Sequence, residues 1–182
     1  LLNLMIIGSI PLIICGYILY ITGYIYNLRN IEVIAWTTFI FAIILFIADR
    51  SSFEKKISSN LNIRSIVIIS LFQVFSLIPG VSRAGITITA ARVLKFNRFD
   101  SGKISFLLSI PALSGASILG LKDVVQQSIE FNYLIIVGTI CSFIFSFLTV
   151  KFFLNYINRF SMNVFIIYRL IISFILFYII YF

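Results

Sequence analysis

Apolar residues in this chain fall into long unbroken runs, near 1–21, 31–48, 104–121, 132–150 and 163–182, rather than at the spacing of half-buried elements. Runs of about 20 such residues are what an α-helix needs to cross the hydrocarbon of a bilayer, so five spans are predicted. The stretch from Ser65 to Leu94 departs from the pattern. Its first apolar run, Ser65 to Ile78, holds only about 14 residues. Pro79-Gly80 then interrupts any helix, and a second short run follows from Gly85 to Leu94. Such a segment is either one broken span or a re-entrant hairpin that enters and leaves the membrane on the same side.

Composition agrees with a membrane solvent. Of 182 residues 61% are hydrophobic and 11% charged, against about 45–50% and about 25% in soluble domains. The net charge of +8 would point to nucleic acid in a soluble chain. Here it reads as a topology signal, with no nucleic-acid partner. If the broken segment is re-entrant, ten basic residues share one side: Arg50, Lys55, Lys56, Arg64, Arg92, Lys95, Arg98, Lys103, Lys151 and Arg159. Only Arg29 and Lys122 then remain on the other side, whereas a fully spanning segment would remove the bias. The positive-inside rule therefore selects a hairpin entering from the cytoplasm, with the N-terminus cytoplasmic and Phe182 outside. Arg83 and Arg169 lie at membrane depth on neither side. Cys15 and Cys141, both in apolar runs, read as packed thiols. The absence of His removes imidazole acid/base chemistry and Cys/His zinc sites.

Membrane proteins containing hairpins are often built from repeats. Ile6-Ile7-Gly8-Ser9-Ile10 resembles Ile136-Val137-Gly138-Thr139-Ile140 at an offset of 130, and a rival match pairs Ser9-Ile10-Pro11 with Ser109-Ile110-Pro111. The larger offset gives the better architecture: 1–50 as the last two helices of an incomplete first repeat, 51–64 as a basic cytoplasmic loop, and 65–182 as a second, inverted repeat. That second repeat comprises a re-entrant hairpin at 65–95 and three spanning helices. The chain opens Leu1-Leu2-Asn3 without Met or a charged leader, so it reads as a piece of a longer product. The expected fold is an all-α polytopic membrane protein of about five transmembrane helices plus one re-entrant hairpin, part of an inverted-repeat fold.

The chemistry-bearing string is Ile78-Pro79-Gly80-Val81-Ser82-Arg83-Ala84-Gly85-Ile86-Thr87-Ile88-Thr89. Pro79 ends the first half-helix, Gly80 and Gly85 permit tight backbone geometry, and Ser82 suits the N-cap of the second half-helix. Free N–H groups at that helix start, its dipole, the Ser82 hydroxyl and the Arg83 fork are expected to converge as an anion site. Thr87, four residues after Arg83, shares its helical face. Gln73, two turns before the break, is placed to orient the loop. An ionised Arg at bilayer depth costs at least about 2.5–3.5 kcal/mol, so Arg83 needs a partner or an aqueous cavity. Its place at a Pro-Gly break, away from a helix end, disfavours simple snorkelling. For Arg169, about seven residues into the last span, snorkelling to the interface and facing a central cavity stand as equal alternatives. Trp36 and Tyr181 are interface candidates.

These residues carry a resemblance. Pro79 to Thr87, the upstream Phe72-Gln73, the downstream Ser105-Phe106-Leu107-Leu108-Ser109-Ile110-Pro111 and the late Ile167-Tyr168-Arg169 resemble the C-terminal two thirds of the undecaprenyl-pyrophosphate phosphatase family, the bacitracin-resistance membrane proteins. The resemblance implies two re-entrant hairpins meeting in mid-membrane. It implies hydrolysis of the C55 polyprenyl pyrophosphate to the monophosphate in the bacterial cytoplasmic membrane, recycling the lipid carrier of cell-wall synthesis. It carries the catalytic, phosphate-gripping role onto Ser82, Arg83 and Thr87, with Gly80, Gly85, Gln73 and Arg169 as further substrate contacts.

Two departures from the family pattern matter. Ala84 stands where the family usually has a second Ser, and the family's first hairpin, with its paired Glu, Ser and His, has no counterpart in this sequence. The six acids, Glu32, Asp49, Glu54, Asp100, Asp123 and Glu130, lie at predicted helix ends or in loops. A divalent cation, Mg or Ca, is therefore expected to find its ligands in the missing N-terminal part, with none here, and this segment alone is expected to be inactive. Expected partners are the polyprenyl pyrophosphate lipid and the bilayer, with a homodimer left open. Haloperoxidase-like phosphatases are excluded for this motif, because Thr89 and Val93 stand where their His and Asp would fall. The rival function is a transporter or flippase of an anionic polyprenyl lipid, since broken helices with basic tips also build transport sites.

Overall fold

The computed structural model describes residues 1–24, 28–51, 55–126 and 133–182, with the side chains of 119 and 122–126 left out of the description. Glu54 and Glu130 lie outside the described residues, as do the side chains of Lys122 and Asp123. The described residues form eight α-helices: α1 (Leu2–Thr22), α2 (Ile31–Asp49), α3 (Ile57–Asn60), α4 (Ile63–Val74), α5 (Arg83–Val93), α6 (Arg98–Gln126), α7 (Tyr133–Arg159) and α8 (Asn163–Tyr181). This is the expected all-α polytopic architecture. Helices α1, α2, α7 and α8 are each long and apolar enough to cross a membrane. The remaining predicted span, 104–121, lies inside α6, a 29-residue helix that contains Pro111.

Local sequence sets the helix starts. Asn30 accepts from the Glu32 N–H at 3.1 Å and Asn62 from the Ser65 N–H at 2.9 Å. Asn97 accepts from the Asp100 N–H at 2.8 Å. Each satisfies an amide that the first helical turn leaves without a partner. Gly23 ends α1 in the left-handed conformation, φ 66°.

The segment between α2 and α6 folds as a hairpin. Helix α4 has 12 residues, about 18 Å of rise, too short for a hydrocarbon core of about 30 Å. A 3-10 turn, Phe75–Leu77, continues it to the Pro79-Gly80 break. Helix α5 then returns beside α4, because Ile66 and Ile69 of α4 share one packed cluster with Ala90, Ala91 and Phe96 at the far end of α5. Backbone bonds close the base: the Lys55 N–H donates to Lys95 O at 3.1 Å and the Asn97 N–H to Lys55 O at 3.2 Å. Both ends of the hairpin are therefore held together, at Lys55 and Lys95.

Helix α5 lies at the centre. Residues 86–92 are all buried. One side packs into the cluster that Met5, Ile104 and Leu108 complete, and Ile88 on the other side joins Leu45, Ile157, Met162 and Ile166. The polar side chains of this buried helix are internally bonded, as a low-dielectric interior demands: Thr89 donates to Gly85 O at 2.7 Å, and Arg92 donates to the carbonyls of Phe96, Asp49 and Ser51 at 2.8, 2.8 and 2.9 Å.

Arg92 therefore departs from its expected place among the interfacial cations. Its side chain is fully buried and pairs with Asp49 at 3.4 Å. Asp49 also accepts both arms of the Arg98 fork, at 2.8 and 2.9 Å, and the Met162 N–H at 3.3 Å. One buried carboxylate thus ties the ends of α2 and α5 to the starts of α6 and α8. Cys141 departs as well, being exposed on α7, where residues 133–149 are exposed throughout.

Candidate functional site

The tip of the hairpin is held by α2 and α8. Gly80 adopts φ 87°, a conformation that side-chain-bearing residues rarely take, and a Cβ there would collide with Thr37 Oγ1 and the Ile34 backbone. That close approach lets two hydroxyls of α2 reach the break: Thr37 donates to Pro79 O at 2.7 Å and Thr38 to Gly80 O at 3.3 Å. Arg169 of α8 donates to the same Gly80 O at 3.0 Å. Ser82 caps α5 as expected, its hydroxyl oxygen accepting from the Gly85 N–H at 3.2 Å. The Ile86 N–H bonds Ser82 O, so the amides of Arg83 and Ala84 are left without an acceptor among the described residues.

Beside this helix start lies a cavity of about 440 Å³. Its polar end presents Ser82, Thr38 and Arg169, and its walls are apolar, with Leu45, Ile88 and Phe153 among them. Arg169 is 9% exposed, and its Nε has no hydrogen-bond partner among the described residues. A Cβ built on Gly85 would stand 2.8 Å from Arg169 Nη1, so the missing side chain is what admits the guanidinium to the first turn of α5. A buried cation, unpaired amides and the positive end of a helix dipole are therefore brought together, the combination that favours an anion.

The expected residues divide around α5. Ser82, Gly80, Gly85 and Arg169 border the cavity. The alternatives left open for Arg169 are thereby resolved: it turns inward and does not snorkel. Arg83 points elsewhere. Its Nη2 donates to Leu108 O at 2.6 Å, one turn before Pro111 of α6, and its Nε has no partner among the described residues. The expected convergence of the Arg83 fork with the Ser82 hydroxyl is corrected accordingly, since the guanidinium on the cavity belongs to Arg169. Thr87 does share the Arg83 face, and for that reason it is buried against α6, donating to Ser105 Oγ at 2.7 Å.

Gln73 is fully buried with neither amide atom hydrogen-bonded among the described residues, so no bond from it orients the loop. Thr37 and Thr38 are the residues that sequence reasoning missed. Adjacent hydroxyls inside an otherwise apolar span were the available signal. Trp36 and Tyr181 lie at one end of the α2–α8 pair, where Trp36 stands edge-on to Phe177 with centroids 4.9 Å apart and Tyr181 donates to Glu32 at 3.2 Å.

A divalent cation does not fit these residues. No group of three or more His, Cys, Asp or Glu is assembled among the described residues, and the cavity lining holds no carboxylate. Hydroxyls, amides and a guanidinium suit an anion instead.

Fold and site together define a polytopic helical membrane protein in which a re-entrant helix pair offers an anion-complementary tip to an amphipathic cavity. Its sequence matches the model of the family described as bacitracin resistance protein BacA over residues 1–175, and the chain belongs to that family. It is 64% identical over all 182 residues to an undecaprenyl-diphosphatase of Pelagibacter ubique, covering 71% of that protein. Proteins of the same name from Elusimicrobium minutum and a Ruegeria species are 41% and 33% identical over 92% and 97% of this chain, covering 63% and 67% of their own lengths.

Proposed function

We propose that this chain serves as an undecaprenyl-diphosphatase of the bacterial cytoplasmic membrane, hydrolysing the C55 polyprenyl pyrophosphate to the monophosphate and inorganic phosphate. The observation that carries this reading is the arrival of Arg169 at the start of α5, over Gly85 and bonded to Gly80 O. In the proposed complex the diphosphate lies against Arg169, the Ser82 hydroxyl and the Arg83 and Ala84 amides, while the prenyl chain follows the apolar wall of the cavity. Donors fixed in advance around phosphoryl oxygens stabilise charge as it moves to the leaving group. Arg83 serves this reading through its backbone amide, while its guanidinium, bonded to Leu108 O, holds the start of α5 against α6. Thr87 supports it from behind through Ser105.

The extensive packing of α2 on α8, helices made equivalent by the 130-residue offset, supports an inverted repeat in which 1–50 closes one unit and 65–182 forms the other. The family name and the relatives' names support the choice of substrate.

Detergent-purified protein should bind farnesyl diphosphate at least about tenfold more tightly than farnesol, a difference of about 1.4 kcal/mol. Equal affinity for the two would overturn the proposed grip. Release of inorganic phosphate separates hydrolysis from the transport of an intact anionic lipid.

A further inference from the structure

Remote from the hairpin tip, on the basic face, a second cavity of about 380 Å³ opens among the starts of α3 and α6 and the end of α7. We propose that this cavity is a separate anion site that takes a phosphate group at the membrane surface. Three cations line it, Lys56, Arg98 and Arg159. Neither Lys56 nor Arg159 has an ion pair among the described residues. Arg98 is turned onto Asp49 through Nε and Nη2, and its Nη1 has no partner among the described residues.

The backbone contributes independently. Asn97 satisfies the Asp100 N–H, while the Arg98 and Phe99 amides that start α6 have no acceptor among the described residues. Both residues line the cavity, so the positive end of a 29-residue helix faces into it. The carboxylate on this lining, Asp100, is engaged by the Ile57 N–H at 3.1 Å and by Asn97 Nδ2 at 2.8 Å, both at Oδ2. Lys103 adds further positive charge, 5.2 Å from the Phe99 ring centre.

The positive-inside rule accounts for basic residues on this face, but it asks for no cavity and no convergence on a helix start. Basic pockets between membrane helices on that side are suited to lipid phosphates. Phe99 and Ile157 supply an apolar wall, and the bare flank of α7 runs away from the site into the lipid region. Phospholipid and free orthophosphate present the same group.

The test is retention of dioleoylphosphatidylglycerol, with dioleoylphosphatidylcholine as reference, by native mass spectrometry of the detergent-purified chain, alongside orthophosphate binding followed by ³¹P line broadening. The double variant Lys56→Gln/Arg159→Gln should weaken one of the two ligands by about 10- to 30-fold. The control Arg64→Gln/Lys151→Gln, which removes exposed cations of the same face outside the cavity, should change it by less than about twofold. Arg159→Glu alone should abolish binding. Loss confined to the glycerophospholipid identifies a lipid site, and loss confined to orthophosphate identifies a free-anion site. Equal losses in both double variants, or none in either, would overturn the proposal.

Discussion

Arg169 donates from Nη2 to the Gly80 carbonyl oxygen at 3.0 Å, across 89 residues of sequence, and that one bond joins the last helix to the tip of the hairpin. The same side chain steadies the break and supplies the guanidinium that the cavity presents.

Gly85→Ala tests the second of those roles. The added Cβ would lie 2.8 Å from Arg169 Nη1, the movable end of a long side chain, so the guanidinium is displaced while the backbone stays in place. Affinity for farnesyl diphosphate should fall about tenfold with little change in unfolding midpoint. Arg169→Gln should lose at least as much affinity and also destabilise the fold, because Gly80 O loses a charged donor. Unchanged affinity in both variants would remove Arg169 from the grip.

Arg83→Lys separates a planar fork from a point charge. The guanidinium reaches Leu108 O through Nη2 and so positions the start of α5 against α6, an oriented contact that a compact ammonium on a different reach does not reproduce. In a catalytically competent enzyme, phosphate release should drop more than about tenfold, and activity within about threefold of wild type would exclude Arg83 from the reaction.

Asp49→Asn removes the carboxylate shared by two arginines. Arg92 is buried completely, so losing the carboxylate it pairs with should cost about 3 kcal/mol in reversible unfolding. Arg98→Gln leaves Asp49 still paired to Arg92 and deletes a side chain that is 29% exposed, so its cost should stay near 1 kcal/mol or below. Equal effects from the two variants would contradict this hierarchy.

Thr87 and Ser105 form a hydroxyl pair inside the protein. Thr87→Val should destabilise by about 1 kcal/mol and Ser105→Ala by less, because Thr87 still reaches Arg83 O at 2.9 Å, and the double variant should cost clearly less than their sum. Additive losses in the unfolding measurements would show that the pair is not coupled.

The sequence reveals the hairpin because the physics involved is local or statistical. Pro79-Gly80 stops a helix, Ser82 caps the next one, and the Lys and Arg bias selects one side for both ends. What it conceals is direction around a helix axis. Arg83 and Thr87 can be placed on one face of α5, yet nothing local says whether that face meets α6 or the cavity. Arg169 was legible as a cation at membrane depth, but its inward turn depends on Gly85 being bare on another helix. Arg92 was misassigned for a related reason. Ending a helix on the basic side, it is indistinguishable by position from an interfacial cation until the carboxylate of Asp49, distant in sequence, is seen beneath it. The same separation hid the part played by Thr37 and Thr38.

The burial of α5 on all sides bears on how the protein is made. A short helix carrying Thr87, Thr89 and Arg92 has too little apolar surface to enter lipid on its own account, and its partner α4 is too short to span. Their stay in the membrane depends on the helices around them, whose carbonyls and side chains replace water for these polar groups. Burial of the hairpin is therefore a matter of tertiary folding, because α1, α2 and α6 supply the surroundings that lipid alone would not.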